Sequence, residues 1–375
     1  MLSARELTKF SKQLLAWFRQ FQRDLPWRGT KDPYRIWLSE IMLQQTRVAT
    51  VIPYYEKFLQ RFPDVHELAD APQEDVLRIW SGLGYYSRAR NLQKAAQQIV
   101  AKHGGQFPRH REDILDLPGI GNYTAAAILS IAFGEELAVL DGNVARVLAR
   151  LGAIRDDLRE PRRWQKLQKS ADELLDPNAP GDWNQAVMEL GATVCTPKSP
   201  QCLLCPVAAF CEARRLGIAD ELPEKRKKRT TVQITLVAAV FADKKGRTLL
   251  LPPPQEKNGA SLVDFVPTIV SRLWHFPTIS VNGDPATKLR AFLKSFLPRE
   301  RMAKWKLAPA DKVRHAVTYR DITIFPFRIN LKKLPRIPGA KHAALHEISV
   351  LPVSSLTRKV AQSAEAVTIA LPKKR

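Results

Sequence analysis

The stretch Leu115-Asp-Leu-Pro-Gly-Ile-Gly-Asn-Tyr-Thr-Ala-Ala-Ala127 decides the fold of the first half of this chain. Its Pro-Gly-x-Gly core contains Gly119 and Gly121, and glycine permits the tight turn that a helical hairpin needs. The turn leaves amide N–H groups free at the start of the second helix, where they would bind an anion such as a DNA phosphate. A purely structural helix-turn-helix corner explains the same residues equally well, so both interpretations stay open.

The charge of the chain favours a nucleic-acid partner. The 375 residues contain 59 Lys and Arg against 37 Asp and Glu, a net charge of +22. Such a protein attracts polyanions, and phosphate contacts bind DNA without reading sequence, although a basic composition also serves solubility alone. The longest nearly apolar runs, 125–133 and 236–242, are far shorter than the ~20 residues that span a bilayer. We expect no membrane association, and a cytosolic, nucleoid-associated location because residues 1–10 lack a signal-like apolar stretch.

All the cysteines of the chain lie in one short segment, as Cys195, Cys202, Cys205 and Cys211. In a reducing compartment such a group most often binds a metal, either tetrahedral zinc or an iron–sulfur cluster. Zinc ribbons usually contain two closely spaced pairs, whereas only Cys202 and Cys205 form such a pair here. The spacing therefore favours an iron–sulfur cluster over zinc, and both over unrelated thiols.

The length of the chain predicts two domains, because single cores rarely grow beyond ~250–300 residues. Apolar residues recur at helical spacing over 1–221, which predicts an all-α domain with a helix-hairpin-helix at about 112–133 and a cluster loop at 195–211. The polar, basic segment 222–231 is predicted as an exposed linker. An α+β domain is predicted over 232–375, with strands at 232–241, 248–251, 272–276, 313–318 and 322–329, a hairpin turn at 243–246 and a helix at 286–296.

Two carboxylates are candidates for acid–base chemistry. Glu40, in SEIMLQQT, shares a helix face with Ile36, Trp37 and Leu43, so burial should raise its pKa and make it a general-acid candidate. Asp141, in LDGNV, directly precedes a predicted helix, where it would cap the helix and have its pKa lowered by the dipole. Two carboxylates with opposite pKa shifts suit the cleavage of a glycosidic bond. A surface Glu and a merely capping Asp remain the alternative.

In this order along the chain, the hairpin, LDGNV and the Cys-x6-Cys-x2-Cys-x5-Cys loop resemble the helix-hairpin-helix base-excision glycosylases. The stretches SEIMLQQT and GLGYYSRARNL are similar to the adenine DNA glycosylase (MutY) family, and the resemblance covers residues 5–216 densely. It implies a helical glycosylase with a 4Fe-4S cluster bound by the four cysteines. It also implies that the substrate is double-stranded DNA, from which adenine mispaired with 8-oxoguanine or guanine is removed in base excision repair. We expect the protein to act as a monomer.

The resemblance implies a role for each matching residue. Glu40 would be the acid that protonates adenine at N7, and Asp141 the carboxylate that stabilises the sugar cation. Asn143 would support Asp141, and Tyr123 would lie near the reacting sugar. The remaining matches are the side chains that wedge into the base stack when adenine is flipped out, and those that wall the adenine pocket: Gln45 and Tyr85, and Trp27, Arg28 and Leu43.

Tyr123 also bears on the type of reaction, because the related endonuclease III group has a lysine at this position, which attacks the sugar through a Schiff base. Tyrosine forms no imine, so we expect base removal that leaves an abasic site, with water activated by deprotonated Glu40. Two rival hypotheses stay open. One is an endonuclease III-like glycosylase and lyase acting on oxidised pyrimidines, and the other is a non-catalytic iron–sulfur protein that binds DNA or senses redox state.

The second half of the chain resembles the family's C-terminal 8-oxoguanine-recognition domain, which has a Nudix-like fold. The resemblance rests on the strand and helix pattern and on Leu273-Trp-His-Phe-Pro277. No Nudix hydrolase box is present, so the domain should bind and not hydrolyse. The family's damage-sensing loop usually reads His-x-Phe-Ser-His, whereas this chain has His315-Ala-Val-Thr-Tyr319. Val317 thus replaces an aromatic intercalator, Thr318 keeps a hydroxyl for DNA contact, and Tyr319 replaces a histidine.

Overall fold

The computed structural model describes residues 3–155, 157–158, 160–224, 230–253, 273–297, 305–317 and 319–367. The chain divides into two compact units, Met1–Ala71 with Ser87–Lys227, and Pro72–Tyr86 with Lys228–Arg375. The segment Pro72–Tyr86 thus groups with the C-terminal unit, whereas the predicted domain boundary placed it in the N-terminal domain. Residues 225–229 of the predicted linker lie outside the described residues.

The N-terminal half of the chain is α-helical, as predicted. Its helices are α1 Ala4–Phe21, α2 Pro33–Leu43, α3 Val48–Arg61, α4 Val65–Asp70, α5 Gln73–Ile79, α6 Ser87–His103, α7 Arg111–Leu115, α8 Asn122–Ile128, α9 Gly142–Leu151, α10 Pro161–Leu174, α11 Pro180–Thr193 and α12 Glu212–Arg215. Of these, α5 lies in the segment that groups with the C-terminal unit. Among the described residues no helix is both long and apolar enough to cross a membrane.

The helix α2 runs through the interior of the first unit. Asp32 caps it by accepting a hydrogen bond from the Tyr34 amide, and Pro33 stands at its first position, where a proline fits the helix without losing a hydrogen bond. Every residue from 36 to 42 is buried. A polar side chain on this helix is therefore removed from water unless it faces a cavity.

The predicted hairpin is formed by α7 and α8. Gly119, between them, has a φ of +83°, and a Cβ at this position would lie 2.9 Å from Asn91 Cβ. Glycine is therefore needed both for the backbone conformation and for the close approach to Asn91. The predicted second helix continues beyond α8 as a π-helical turn, Leu129–Phe133, which ends at Gly134 with a φ of +77°.

The C-terminal unit contains β-sheets. Its strands are β1 Val232–Ala242, β2 Arg247–Leu250, β3 Thr278–Ser280, β4 Ala308–Pro309, β5 Val313–Val317, β6 Arg320–Asn330 and β7 Lys341–Ala344. Among the described residues the main sheet has the order β3-β1-β6-β4, and β5 pairs with β6. The central pair, β1 and β6, is parallel over the whole of both strands, and the other pairs of this sheet are antiparallel.

Both faces of the main sheet are covered, because β1 sends alternate residues into two separate cores. Leu236, Ala238 and Val240 pack with the helix α14, Ser355–Glu365, and the intervening residues pack with the helix α13, Pro285–Phe296. A strand that is buried on both faces shows a continuous apolar run instead of alternation, which explains the composition of 236–242.

The predicted hairpin between the first two strands of this unit is wrong in its pairing. The turn itself forms, since the Gly246 amide donates to the Asp243 carbonyl, but β2 then pairs with β7 in a separate two-stranded sheet. In the main sheet β1 pairs instead with β3 and β6. The strand β6 lies some 80 residues away in sequence, and local turn chemistry carries no information on such a pairing. Arg272, the first residue of the predicted strand 272–276, lies outside the described residues, as does Thr318.

Candidate active site

The first unit contains a cavity of about 490 Å³, within the range of roughly 300–1,000 Å³ that is usual for small-molecule sites. Its walls come from the segment after α1, from α2 and the residues after it, and from α8, α9 and α11. The cavity brings together eight of the predicted site residues, which are Trp27, Arg28, Glu40, Leu43, Gln45, Tyr123, Asp141 and Asn143. Among the described residues no lysine lines it.

Glu40 is held in this cavity with little access to water, at 8% exposure. The Tyr123 hydroxyl donates a hydrogen bond of 2.7 Å to Glu40 Oε2. Burial raises the pKa of Glu40 to about 7, and the nearby charge of Asp141 adds to the rise, whereas the Tyr123 hydrogen bond and Arg28 oppose it. A carboxyl group with this pKa holds or releases a proton near neutral pH.

Asp141 caps α9 and lines the cavity at the same time. Its Oδ1 accepts from the amides of Asn143 and Val144 at 2.9 and 2.7 Å, and its Oδ2 accepts from Asn143 Nδ2 at 3.1 Å. The predicted lowering of its pKa is wrong, because burial raises the pKa of Asp141 and outweighs the capping hydrogen bonds and the charge of Arg146. The two carboxylates therefore shift in the same direction. Asp141 accepts three hydrogen bonds and Glu40 one, and each of these bonds favours the ionised form of its carboxylate.

Asn143 connects Asp141 to the cluster loop. Its Oδ1 accepts from Arg146 at 2.9 Å, and Arg146 Nε donates to the Cys195 carbonyl at 2.9 Å. Arg146 also donates to the Gly191 carbonyl at 2.7 Å. A Cβ on Gly191 would lie 2.8 Å from Asn143 Cβ, so glycine allows α11 to approach the start of α9 closely. These contacts fix the direction of the Asp141 carboxylate.

Glu189, on α11, is a cavity residue that the sequence interpretation missed. It is 1% exposed and forms ion pairs with Arg23 Nε at 2.6 Å and with Arg28 at 2.8 Å. Although burial acts in the other direction, the hydrogen bond from Arg23 and the charges of both arginines lower its pKa. Gln185, one turn earlier, accepts from Arg28 at 2.8 Å. The signal in the sequence was two polar residues at i and i+4 on the apolar face of a helix.

Other predicted residues lie elsewhere. Trp37 does not line the cavity among the described residues, because its ring packs edge-on against Tyr34 and Phe107 in the core. Tyr85 belongs to the other unit and is 43% exposed. Gln45 and Tyr85 both have the left-handed backbone that L-residues rarely adopt, with φ of 58° and 48°. Such strain is most often retained at functional positions.

None of the four cysteines of the cluster loop forms a disulfide, and all of them line one small cavity beside the end of α9. Burial raises the pKa of Cys205 to about 11, so positive charge from a metal would be required to keep it a thiolate. Within the described residues no three His, Cys, Asp or Glu side chains gather as they would around a single metal ion. Four cysteine sulfurs that line one cavity are the ligand set that a 4Fe-4S cluster takes.

Comparison with known proteins agrees with this geometry. Residues 38–173 match the HhH-GPD superfamily of base excision DNA repair proteins, and residues 195–211 match the iron–sulfur binding domain of endonuclease III, so the cysteines hold a 4Fe-4S cluster. The human adenine DNA glycosylase is 36% identical over 95% of this chain and 74% of its own length. An adenine DNA glycosylase of Buchnera aphidicola (strain Bp) is 43% identical over 54% of this chain and 58% of its own. A solved thermostable thymine-DNA glycosylase covers 56% of this chain and 98% of its own, at 30% identity and a TM-score of 0.52.

Proposed function

This chain belongs to the adenine DNA glycosylase family and is a DNA glycosylase, a hydrolase of N-glycosyl bonds; from this premise we propose that it removes adenine mispaired with 8-oxoguanine or guanine in double-stranded DNA. The observation that carries the proposal is the shared cavity, in which an acid with a pKa near neutrality and an ionisable carboxylate face the same space. Such a pair suits cleavage through an oxocarbenium-like state.

The first step is protonation of the adenine by Glu40. A flipped adenine would lie among Trp27, Leu43 and Arg28, which line the cavity. The Tyr123 hydrogen bond holds Oε2 of Glu40, so Oε1 is the oxygen that can carry the proton toward N7 of the base. Protonation makes adenine a neutral leaving group and removes the need to expel an anion.

The second step is stabilisation of the sugar cation that forms as the base leaves. Asp141 is held on three hydrogen bonds before any substrate arrives, so its charge need not reorganise during the reaction. Glu40, deprotonated by the first step, then activates the water that attacks the sugar. Tyr123 provides no amine for a Schiff base and no lysine lines the described cavity, which supports base removal without strand cleavage.

The C-terminal unit is proposed to recognise the base opposite the adenine. Its sheet with a helix on each face supports the Nudix-like identity that the sequence resemblance implies. The strands β5 and β6 form a hairpin whose tip carries Val317 and Tyr319. We infer that this tip approaches 8-oxoguanine, that Gln45 and Tyr85 enter the base stack, and that the amides after Gly119 and Gly121 hold phosphate. We further infer that the protein acts as a monomer.

The test is a single-turnover assay on duplexes with adenine opposite 8-oxoguanine, guanine or thymine, each run with and without alkali. We expect adenine loss opposite 8-oxoguanine and guanine, and strand breaks only after alkali. Strand breaks without alkali would instead support an endonuclease III-like lyase. Absence of base loss from every duplex would instead support a non-catalytic DNA-binding protein, and normal turnover by Glu40→Gln would show that Glu40 is not the acid.

A further inference from the structure

Arg150, in the last turn of α9, is one of the most deeply buried charged residues of the protein. Its side chain is 1% exposed. Its Nε donates to the Leu222 carbonyl at 2.9 Å, and one terminal nitrogen donates to the Thr196 carbonyl at 2.8 Å and to Cys195 Sγ at 3.2 Å. The other terminal nitrogen is buried without a hydrogen-bond partner among the described residues.

The charge of this guanidinium has no carboxylate to balance it. Its three hydrogen-bond acceptors are two backbone carbonyls and a cysteine sulfur, and the described residues offer it no Asp or Glu within ion-pair distance. Arginine is charged under all physiological conditions, and an unpaired buried charge costs several kcal/mol. Residues that keep such a charge in the interior generally do so opposite an anion.

The anion is indicated by the surroundings of the side chain. Arg150 lines the same small cavity as all four cysteines of the cluster loop. A 4Fe-4S cluster held by four thiolates carries net negative charge, and N–H donors to its sulfurs tune its potential. Arg146, one turn earlier, is directed instead toward Asn143 and the backbone. Both buried arginines of α9 contact Cys195, but Arg146 reaches its carbonyl oxygen and Arg150 reaches its sulfur.

We propose that Arg150 is the buried counter-charge of the iron–sulfur cluster, and that it raises both the reduction potential of the cluster and its retention by the protein. Reduction adds negative charge, which a fixed cation 3.2 Å from a ligand sulfur would stabilise more than it stabilises the oxidised form. Because the site excludes water, screening by salt is weak. The proposal concerns the cluster alone and does not depend on which base the enzyme removes.

The experiment compares full-length holoenzymes of four variants with the parent: Arg150→Met, Arg150→Gln, Arg150→Lys, and Arg155→Met as the control. Arg155 is exposed and pairs with Glu221, so its removal changes the net charge by the same amount without touching the cluster cavity. The measurements are the reduction potential by voltammetry, the iron content per chain, and the rate at which visible cluster absorption decays in a chelator.

Arg150→Met and Arg150→Gln are expected to have lower potentials and to hold the cluster roughly 10- to 100-fold more weakly, the usual effect on affinity of removing an outer-shell partner of a metal ligand, so the cluster should decay faster in the chelator. Arg150→Lys should stay close to the parent, and Arg155→Met should not differ from it. If Arg150→Met does not fold, the proposal is tested by comparing the reduction potentials of Arg150→Gln and Arg150→Lys. Equal potentials in these two variants, or parental values in Arg150→Met, would overturn the proposal.

Discussion

Replacing Tyr123 by Phe should change the acidity of the candidate catalytic acid in a measurable direction. The Tyr123 hydroxyl donates a 2.7 Å hydrogen bond to Glu40 Oε2 inside the cavity. This bond favours the ionised carboxylate, so it holds the pKa of Glu40 down against the effect of burial. Without the hydroxyl, the pKa of Glu40 should rise further above its present value of about 7.

The size of the shift follows from the strength of the bond. A hydrogen bond to a charged group contributes about 1.5–3 kcal/mol, and one pKa unit corresponds to about 1.4 kcal/mol. Because a water molecule in the enlarged cavity would replace part of the lost interaction, we expect an upward shift of about one unit. Glu40 must be protonated to act as an acid, so the rate falls as pH rises through its pKa. In Tyr123→Phe, the high-pH falling limb of the pH–rate profile should therefore move to higher pH by about one unit.

The assay is single-turnover adenine release from an adenine:8-oxoguanine duplex, measured from about pH 5 to pH 10, where the profile reports groups of the bound complex. Tyr34→Phe is the matched control, since its buried hydroxyl donates to the Phe62 carbonyl and does not line the cavity. An unmoved limb, or a limb moved to lower pH, would show that the phenol does not govern the acid. The limb should be absent in Glu40→Gln.

Four further predictions follow from the same geometry. Asp141→Asn should lower single-turnover cleavage roughly 10²–10³-fold while binding to the mismatched duplex, measured by gel shift, is retained. Glu40→Gln should raise stability by up to roughly 3 kcal/mol at pH 8.5 and by much less at pH 4. A pKa raised by burial gives stability that is fully present below the unfolded value of 4.5 and is lost as pH rises through about 7; thermal melts at the two pH values check this. Glu189→Gln should lower the free energy of unfolding by about 3–5 kcal/mol, because Arg23 and Arg28 lose their buried partner; the melting temperature should fall accordingly. DNA affinity should fall linearly with the logarithm of salt concentration in binding titrations, and a flat response would contradict a phosphate-dominated interface.

Several residues of the cavity could be predicted from the sequence, because helical periodicity determines which side chains share a face of a helix. The spacing of Ile36, Glu40 and Leu43 placed all three on one side of α2, and they do line the cavity together. Trp37 lies next to this face on α2, but its ring packs against Phe107 in the core. Which side chains reach the cavity depends on how α2 packs against its neighbours. Helical periodicity predicts which side chains share one face of a helix. It does not predict which of them line a cavity and which pack in the core.

The pairs that the sequence interpretation missed are set by tertiary contacts. Glu189 is more than 160 residues from Arg23 and Arg28, so no local pattern reveals their ion pairs. The predicted pKa shift of Asp141 is wrong for a related reason: helix capping is visible locally, whereas the depth of burial is set by tertiary packing. The pairing of β2 with β7 likewise joins segments that are distant in sequence.

The double role of Asp141, which caps α9 and lines the cavity, has a consequence for damaged variants. Asparagine caps helices about as well as aspartate, so Asp141→Asn should leave the fold and DNA binding intact. The substitution removes the negative charge that would stabilise the sugar cation. Such a variant would bind the mismatched duplex and remain bound without releasing adenine. In a mixture with the parent protein, such a variant would compete for the same mismatched duplexes and slow adenine release by the parent.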